Sequence, residues 1–360
     1  MAGRTLVYAG AGSSHSWTWA ADLLEKEAQW HTRFADEDEF VRSLSRGCTT
    51  AIVSGGDAYS IASALSGKGF SRLREFIGSG GRYIGICAGA YLPLPTSVPP
   101  LNEFNMCSTK IENLASAQGL SEPESPRFGV PYCDRLIIHP VRGEVVVTLT
   151  DVGARAPLYG GPIFSEPSEG RVIGRFSGFT ESTEFQLAPG NAGEMMLGKP
   201  AVVEASHGDG RMLLLSPHLE HPGYPEANRL FMELTSLRQT EHRGGLTTHS
   251  VHTSPKEMLR RAVVDLSIAI RGLEGRSFLV GNKVWDSDRF LVLADAVRRR
   301  SSGLPEDEER ELADRVLAVR EDMLGMDDAS SGGMQRVLGS MMAVARDCVN
   351  ARFEELSSGR

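Results

Sequence analysis

The chain has 360 residues, 41% of them apolar and 23% charged, with a formal net charge of −8. This balance is that of a folded globular protein of one large or two ordinary domains, and it gives no global attraction to nucleic acid or anionic membrane. No run reaches the length of a membrane span, so neither a nucleic-acid partner nor a membrane association is expected. In chain order, "RTLVYAG" reads as a strand entering a glycine turn at Gly10-Ala11-Gly12, with too short an apolar stretch for a signal peptide. "SWTWAADLLEKEA" has helical spacing, "TTAIVSGG" is a second strand ending at Ser54-Gly55-Gly56-Asp57, "FSRLREFIGSGG" is an amphipathic helix, and "RYIGI" is a third strand ending at Cys87. Alternation of this kind predicts a parallel sheet with helices on both faces, in which ligands gather outside the carboxyl ends of the strands.

From about Leu94 the texture changes to Pro- and Ser-rich loops, then to the short strand-like runs "EVVVTLT", "APLYGGPIF", "RVIGRF" and "TEFQL". These predict an antiparallel β layer added to the parallel sheet. "AVVEAS" and "RMLLLSP" follow as a pair of strands, the second ending at Ser216-Pro217-His218-Leu219-Glu220, and "EANRLFMELTSL" is a helix. Residues 239–253 are polar and aperiodic and read as a linker between a first domain, 1–238, and an all-helical C-terminal domain, 254–360. Ser254-Pro255-Lys256-Glu257 is a helix start signal. Four later segments have helical apolar spacing, and "RSFLVGN" is ambiguous. The tail is Met-rich, which suits core filling or an adaptable surface for a protein partner or a second copy. If it is independent, proteolysis cuts between about Gln239 and Thr253, and a chain ending near Leu237 stays in solution.

Five cysteines lie far apart with no CxxC pair, so neither a zinc cage nor a disulfide framework is expected; no cofactor is implied, and the location is cytoplasmic. Cys87 differs from the others. Gly85 and Gly89 flank it at two residues each way, which suits a strained strand-to-helix turn. A thiol there lies near a helix N-terminus, where the dipole favours the thiolate. The Ala88 N–H and the Gly55-Gly56 turn are candidate oxyanion donors. A nucleophile needs a base and an orienting group. His218 follows a strand and Glu220 lies two residues on; His207, His221 and the linker histidines are poorer placed, and nothing in the sequence positions His15 or His139. Asp57 and Tyr59 are candidate substrate contacts, and Tyr159 of a Tyr-Gly-Gly-Pro loop is a candidate cover for the site. The competing readings are a buried inert thiol, turn-forming polar residues and a packed tyrosine.

Over about residues 4–235, "LVYAGAGSS", "VSGGDAYS", "GGRYIGICAGAY", "PLYGGPIF" and "GDGRMLLLSPHLE" together resemble the class I glutamine amidotransferase-like superfamily, and within it the domain at the N-terminus of some biotin–protein ligases. The resemblance implies a flavodoxin-like sheet and a Cys-His-Glu triad at Cys87, His218 and Glu220, with Gly55, Gly56 and Ala88 at the oxyanion positions. Two positions depart from the family: Tyr91 stands where a glutamine is usual, and Leu219 where a proline is usual. No Gly-Arg-Gly-Arg-like loop is present, so biotinylation is not expected. The expected function is a cysteine-dependent hydrolase or amidotransferase acting on a small-molecule amide or similar acyl bond through a thioester. The alternative is a non-catalytic protein of this fold whose helical tail docks a partner, and a third reading is a lyase- or glyoxalase-like activity at the same cysteine.

Overall fold

The computed structural model describes residues 4–45, 47–113, 128–132, 135–149, 151–237, 258–301, 304–325 and 331–358. The expected linker and the helix start at Ser254–Glu257 lie outside them. Strand β1 (Arg4–Tyr8) is followed by α1 (Trp17–Lys26), β2 (Thr32–Ala35), α2 (Glu37–Ser43), β3 (Cys48–Val53), α3 (Ala58–Gly78), β4 (Arg82–Ile86) and the single turn α4 (Ala88–Tyr91). Strands β5 (Gly129–Tyr132), β6 (Arg135–Ile138), β7 (Val141–Leu149), β8 (Val152–Leu158) and β9 (Arg171–Phe185) follow. Helix α5 (Pro189–Met196), the hairpin β10 (Pro200–His207) and β11 (Gly210–Leu215), and α6 (Pro225–Thr235) come next.

The main sheet has nine strands in the order β2-β1-β3-β4-β11-β10-β9-β7-β8. β1, β3, β4 and β11 are mutually parallel neighbours, and β11-β10-β9-β7-β8 are joined antiparallel. The fold is therefore α/β with a mixed sheet. The antiparallel strands continue that sheet edge to edge instead of stacking on it as a second layer. The parallel strands were the legible ones because both their faces are covered, which makes each a short continuous apolar run; Leu6, Val7 and Tyr8 of β1, and Ile84 and Ile86 of β4, are wholly buried. Leu6 and Tyr8 share one core cluster with Phe40, Phe70, Leu73, Tyr83, Tyr91 and Phe104.

Three departures from the sequence reading have physical causes. "RVIGRF" and the first three residues of "TEFQL" are parts of one 15-residue strand, β9, because irregular pairing with β7 absorbs the polar residues that resembled a turn. Helix α3 begins at Ala58, well before Phe70, and is kinked at Ser66, so its first half lacks a clean helical period. β2 and the β5–β6 pair are only four residues per strand, too short to show alternation.

The chain divides into two compact units: Gly3–Leu23 with Ala35–Arg238, and Leu24–Phe34 with Gln239–Arg360. In the second, α7 (Met258–Arg271), α8 (Ser287–Arg300), α9 (Glu306–Leu324) and α10 (Ser331–Ser358) are the four expected helices. The ambiguous "RSFLVGN" run opens a two-stranded hairpin, β12 (Ser277–Val280) with β13 (Lys283–Asp286). Asp286 caps α8 by accepting the Arg289 N–H, and four acids fill the first turn of α9, as its dipole favours. Within this unit Asn350 accepts the Phe34 N–H at 2.9 Å and donates to the Phe34 carbonyl at 2.8 Å. Phe353 packs edge-on against Phe34, and Arg300 and Arg352 both pair with Glu25.

Candidate active site

Four parallel strands deliver their carboxyl ends to one place. β4 ends at Cys87, whose φ of 52° and ψ of −107° lie in a region that costs a non-glycine residue about 1–3 kcal/mol. The turn is held from both sides: the Cys87 N–H donates to the Leu215 carbonyl at 2.9 Å, and the Gly89 N–H to the Ser54 carbonyl at 3.2 Å. The flanking glycines are required by close approach. A Cβ on Gly89 would collide with the Val53 carbonyl, and one on Gly85 would lie 2.5 Å from the Gly89 carbonyl oxygen. The Tyr83 hydroxyl donates to that same Gly89 carbonyl at 2.7 Å, and burial pushes the Tyr83 phenol upward. The helix after Cys87 is only four residues long, ended by Pro93 and Pro95, so it contributes little of the dipole that the sequence suggested.

The β11 end supplies the other two groups. His218 Nδ1 lies 2.7 Å from Glu220 Oε1, which leaves Nε2 for the hydrogen bond that the ring makes with the Cys87 thiol. All three residues are out of solvent: Cys87 is 3% exposed, His218 2% and Glu220 0%. Burial alone would push His218 down; the neighbouring Glu220 carboxylate and Cys87 outweigh it, and the imidazole is raised to about 9. The tight turn carrying the pair is fixed by the His218 N–H donating to the Pro157 carbonyl at 2.9 Å. Asn228 of α6 donates from its amide to the Leu219 and His221 carbonyls.

Gly55 abuts the ring: a Cβ there would sit 2.8 Å from His218 Cε1 and 3.2 Å from Nε2. The Gly55-Gly56 turn is bridged to Ser13 by the Ser14 N–H to Gly55 carbonyl bond and the Asp57 N–H to Gly12 carbonyl bond. That bridge uses neither the Gly55 nor the Gly56 N–H. Asp57 is the N-cap of α3; its carboxylate accepts the Tyr59 N–H at 3.0 Å and the Ser60 hydroxyl at 2.8 Å. Tyr59 is half-buried and packs against the core cluster. The Tyr159 ring centroid lies 5.9 Å from that of His218, with the Arg142 guanidinium 5.5 Å from the tyrosine ring. The strap that carries it is pinned by the Tyr91 hydroxyl donating to the Gly160 carbonyl at 3.2 Å, and Gly161 packs against Ser216 so closely that a Cβ would strike the Ser216 carbonyl.

Several site residues were not singled out from sequence. Trp19 stands edge-on to His218 at 5.2 Å and lies 4.3 Å from the His221 ring. A signal existed: Trp17 and Trp19 are two positions apart on one helix, hence about 200° apart around it, and cannot both face the same core. His221 is pushed down by burial and by the charge of His218. Ser14, Ser16 and Ser54 form a buried hydroxyl chain that reaches Glu220. His15 packs edge-on against Trp19, and His139 lies beside Gly160 with Nδ1 3.3 Å from the Asn113 amide. Among the described residues, no group of three or more His, Cys, Asp or Glu side chains is disposed to hold a metal ion, and no helix is long and apolar enough to cross a membrane.

Residues 4–96 match the family described as biotin-protein ligase, N terminal. A search of curated proteins finds no match. Among solved structures, the chain is similar to a glutamine amidotransferase at 16% identity and a TM-score of 0.42, over 65% of this chain and 100% of that one. A GMP synthase protein from Thermoplasma acidophilum aligns at 11% identity and 0.39, over 66% and 94%. A β-galactosidase from Bacillus circulans sp. alkalophilus aligns at 11% and 0.34, over 65% of this chain but only 30% of its own. The chain is thus similar, from Arg4 through the Cys87 turn to Thr96, to the N-terminal domain of biotin–protein ligases.

Proposed function

We propose that the protein is a cysteine-dependent hydrolase or amidotransferase acting on an amide or similar acyl bond of a small molecule, with Cys87, His218 and Glu220 as its triad. The observation that carries this reading is the buried imidazole of His218, hydrogen-bonded to the Cys87 thiol on one side and to Glu220 at 2.7 Å on the other. An imidazolium raised to about 9 is protonated at neutral pH and stabilises an adjacent thiolate. The Cys87 sulfur attacks the acyl carbon, and the carbonyl π electrons move to oxygen. The Ala88, Gly55 and Gly56 N–H groups are the proposed donors to that oxyanion. Collapse breaks the C–N bond, the leaving amine takes the proton from His218 Nε2, and a thioester remains on Cys87. Water or an acceptor amine, deprotonated by His218, then displaces the thiolate and restores the starting state. Glu220 orients the imidazole by accepting from Nδ1 throughout. Tyr159 covers the substrate, with Asp57 and Tyr59 on the wall of the glycine turn.

The second reading, a non-catalytic binding protein, draws on Tyr91. Its hydroxyl, at the position where glutamine is usual in the family, ties the Gly160 strap over a cysteine that is 3% exposed. In that reading the helical unit docks a protein partner or a second copy. The four cysteines among the described residues are free thiols, which suits the proposed reducing, cytoplasmic setting. The test is covalent trapping. The full chain is incubated with a fractionated metabolite extract, quenched in acid and digested. A hydroxylamine-labile acyl mass on the Cys87 peptide is expected, and none on the other cysteine peptides. Absence of any Cys87 adduct across all fractions favours the binding reading.

A further inference from the structure

Glu220 is held by more than its histidine. Oε1 accepts from His218 Nδ1 at 2.7 Å and from the Ser54 hydroxyl at 3.1 Å, while Oε2, wholly buried, meets no partner among the described residues. Ser54 Oγ lies 3.0 Å from Ser16 Oγ, which lies 2.9 Å from Ser14 Oγ, and the Ser16 N–H donates to Ser14 Oγ at 3.3 Å. All three serines are buried. The carboxylate fixes the sense of the whole chain. A carboxylate only accepts, so the Ser54 proton points at Glu220; Ser54 Oγ then accepts from Ser16, and Ser16 accepts from Ser14. Every O–H dipole in the row points toward the negative charge, and such aligned bonds reinforce one another.

Neighbouring hydroxyls show what a purely turn-forming role looks like here. Ser13 donates to the Gly10 carbonyl at 2.5 Å and Thr18 to the His15 carbonyl at 2.8 Å, each within its own loop. Ser54 instead reaches 166 positions along the chain to Glu220. Its own carbonyl accepts the Gly89 N–H of the Cys87 turn, and the next residue, Gly55, abuts the His218 ring. One residue therefore touches the nucleophile's turn, the imidazole's contact surface and the acid.

We propose that Ser54, backed by Ser16 and Ser14, is a positioning residue that holds the Glu220 carboxylate in the rotamer that grips His218 Nδ1. The proposal rests on the Cys-His-Glu reading. With only two donors on the carboxylate among the described residues, losing Ser54 halves its hydrogen bonding, and no exposed edge lets bulk water replace it. The titratable groups around the row are Glu220, His218, Cys87 and, through its interaction with both His218 and Glu220, His221.

The test uses the full chain as wild type, Ser54→Ala, Ser16→Ala and Ser54→Thr, with two readouts. One is the downfield proton resonance of the His218 Nδ1–H, assigned by its loss in His218→Asn. The other is the iodoacetamide labelling rate of Cys87, followed by peptide mass spectrometry with Cys48 as the internal standard. Ser54→Ala is expected to move or broaden the resonance and to slow Cys87 labelling about fivefold or more, the loss of roughly one charged hydrogen bond. Cys48 labelling stays unchanged, Ser16→Ala gives the same changes to a smaller degree, and Ser54→Thr restores both. A folded Ser54→Ala with wild-type resonance and rate overturns the proposal, as does slowed labelling with an unmoved resonance. If Ser54→Ala does not fold, Ser16→Ala decides: an unmoved resonance and rate overturn the relay. If wild-type Cys87 labels no faster than Cys48, the nucleophile reading has failed, and the resonance alone still decides whether Ser54 positions the His218–Glu220 pair.

Discussion

Cys87→Ala is expected to remove turnover by about 10⁴-fold or more, because nothing else in the site can carry the acyl group. The thermal midpoint stays within a few degrees of wild type. Alanine keeps the Cβ, so the positive φ of 52° at this position remains strained in the variant, and the only loss is one sulfur and its contact with His218. Cys87→Gly separates the two effects: it removes the strain as well as the thiol, and is expected to melt at or above the alanine variant despite glycine's entropy cost. Activity against the trapped substrate class and melting curves of the three proteins check this. If Cys87 were a packing residue, both truncations would destabilise by the cavity they leave, glycine more than alanine.

Glu220→Ala carries the largest expected effect on stability, about 3–5 kcal/mol at neutral pH, the range for removing one partner of a buried charged pair. In its absence His218 loses the two Glu220 interactions that raise it against burial, so it falls from about 9. The sign of the pH dependence follows. A histidine whose folded value lies above the unfolded 6.5 contributes stability that is fully present below about 6.5 and is lost as pH rises through about 9. Urea unfolding of wild type and His218→Asn should therefore show a difference that is largest near pH 6 and shrinks between pH 7 and pH 10. A gap that widens over that range would mean that His218 is held neutral in the folded protein.

The sheet and the ends of its strands were readable because parallel strands covered on both faces write themselves as unbroken apolar runs, and because Gly55, Gly85 and Gly89 mark places where backbones must meet closely. His218 and Glu220 were readable as a strand end followed by an acid. The serine row was not. Ser14, Ser16 and Ser54 have the composition of any turn, and only the crossing of the β1 and β3 loops at Glu220 gives them a second use. Asp57 illustrates the converse: a polar residue after a strand-end glycine pair serves as a helix cap, through the Tyr59 N–H and the Ser60 hydroxyl. The β12–β13 hairpin was hidden because four-residue strands carry almost no period.

The central claim is that Cys87 alone among the described thiols is poised as a nucleophile, and competitive labelling tests it most directly. Burial pushes Cys48 and Cys107 up to about 11 and Cys348 up to about 12, so each carries very little thiolate at pH 7. Cys87 instead hydrogen-bonds an imidazole raised to about 9. Limiting iodoacetamide at pH 7, followed by peptide mass spectrometry of the folded chain, should place the first carbamidomethyl group on Cys87, at least about tenfold ahead of Cys48, Cys107 and Cys348. Labelling of Cys87 at the same rate as these three, or after them, would contradict the account.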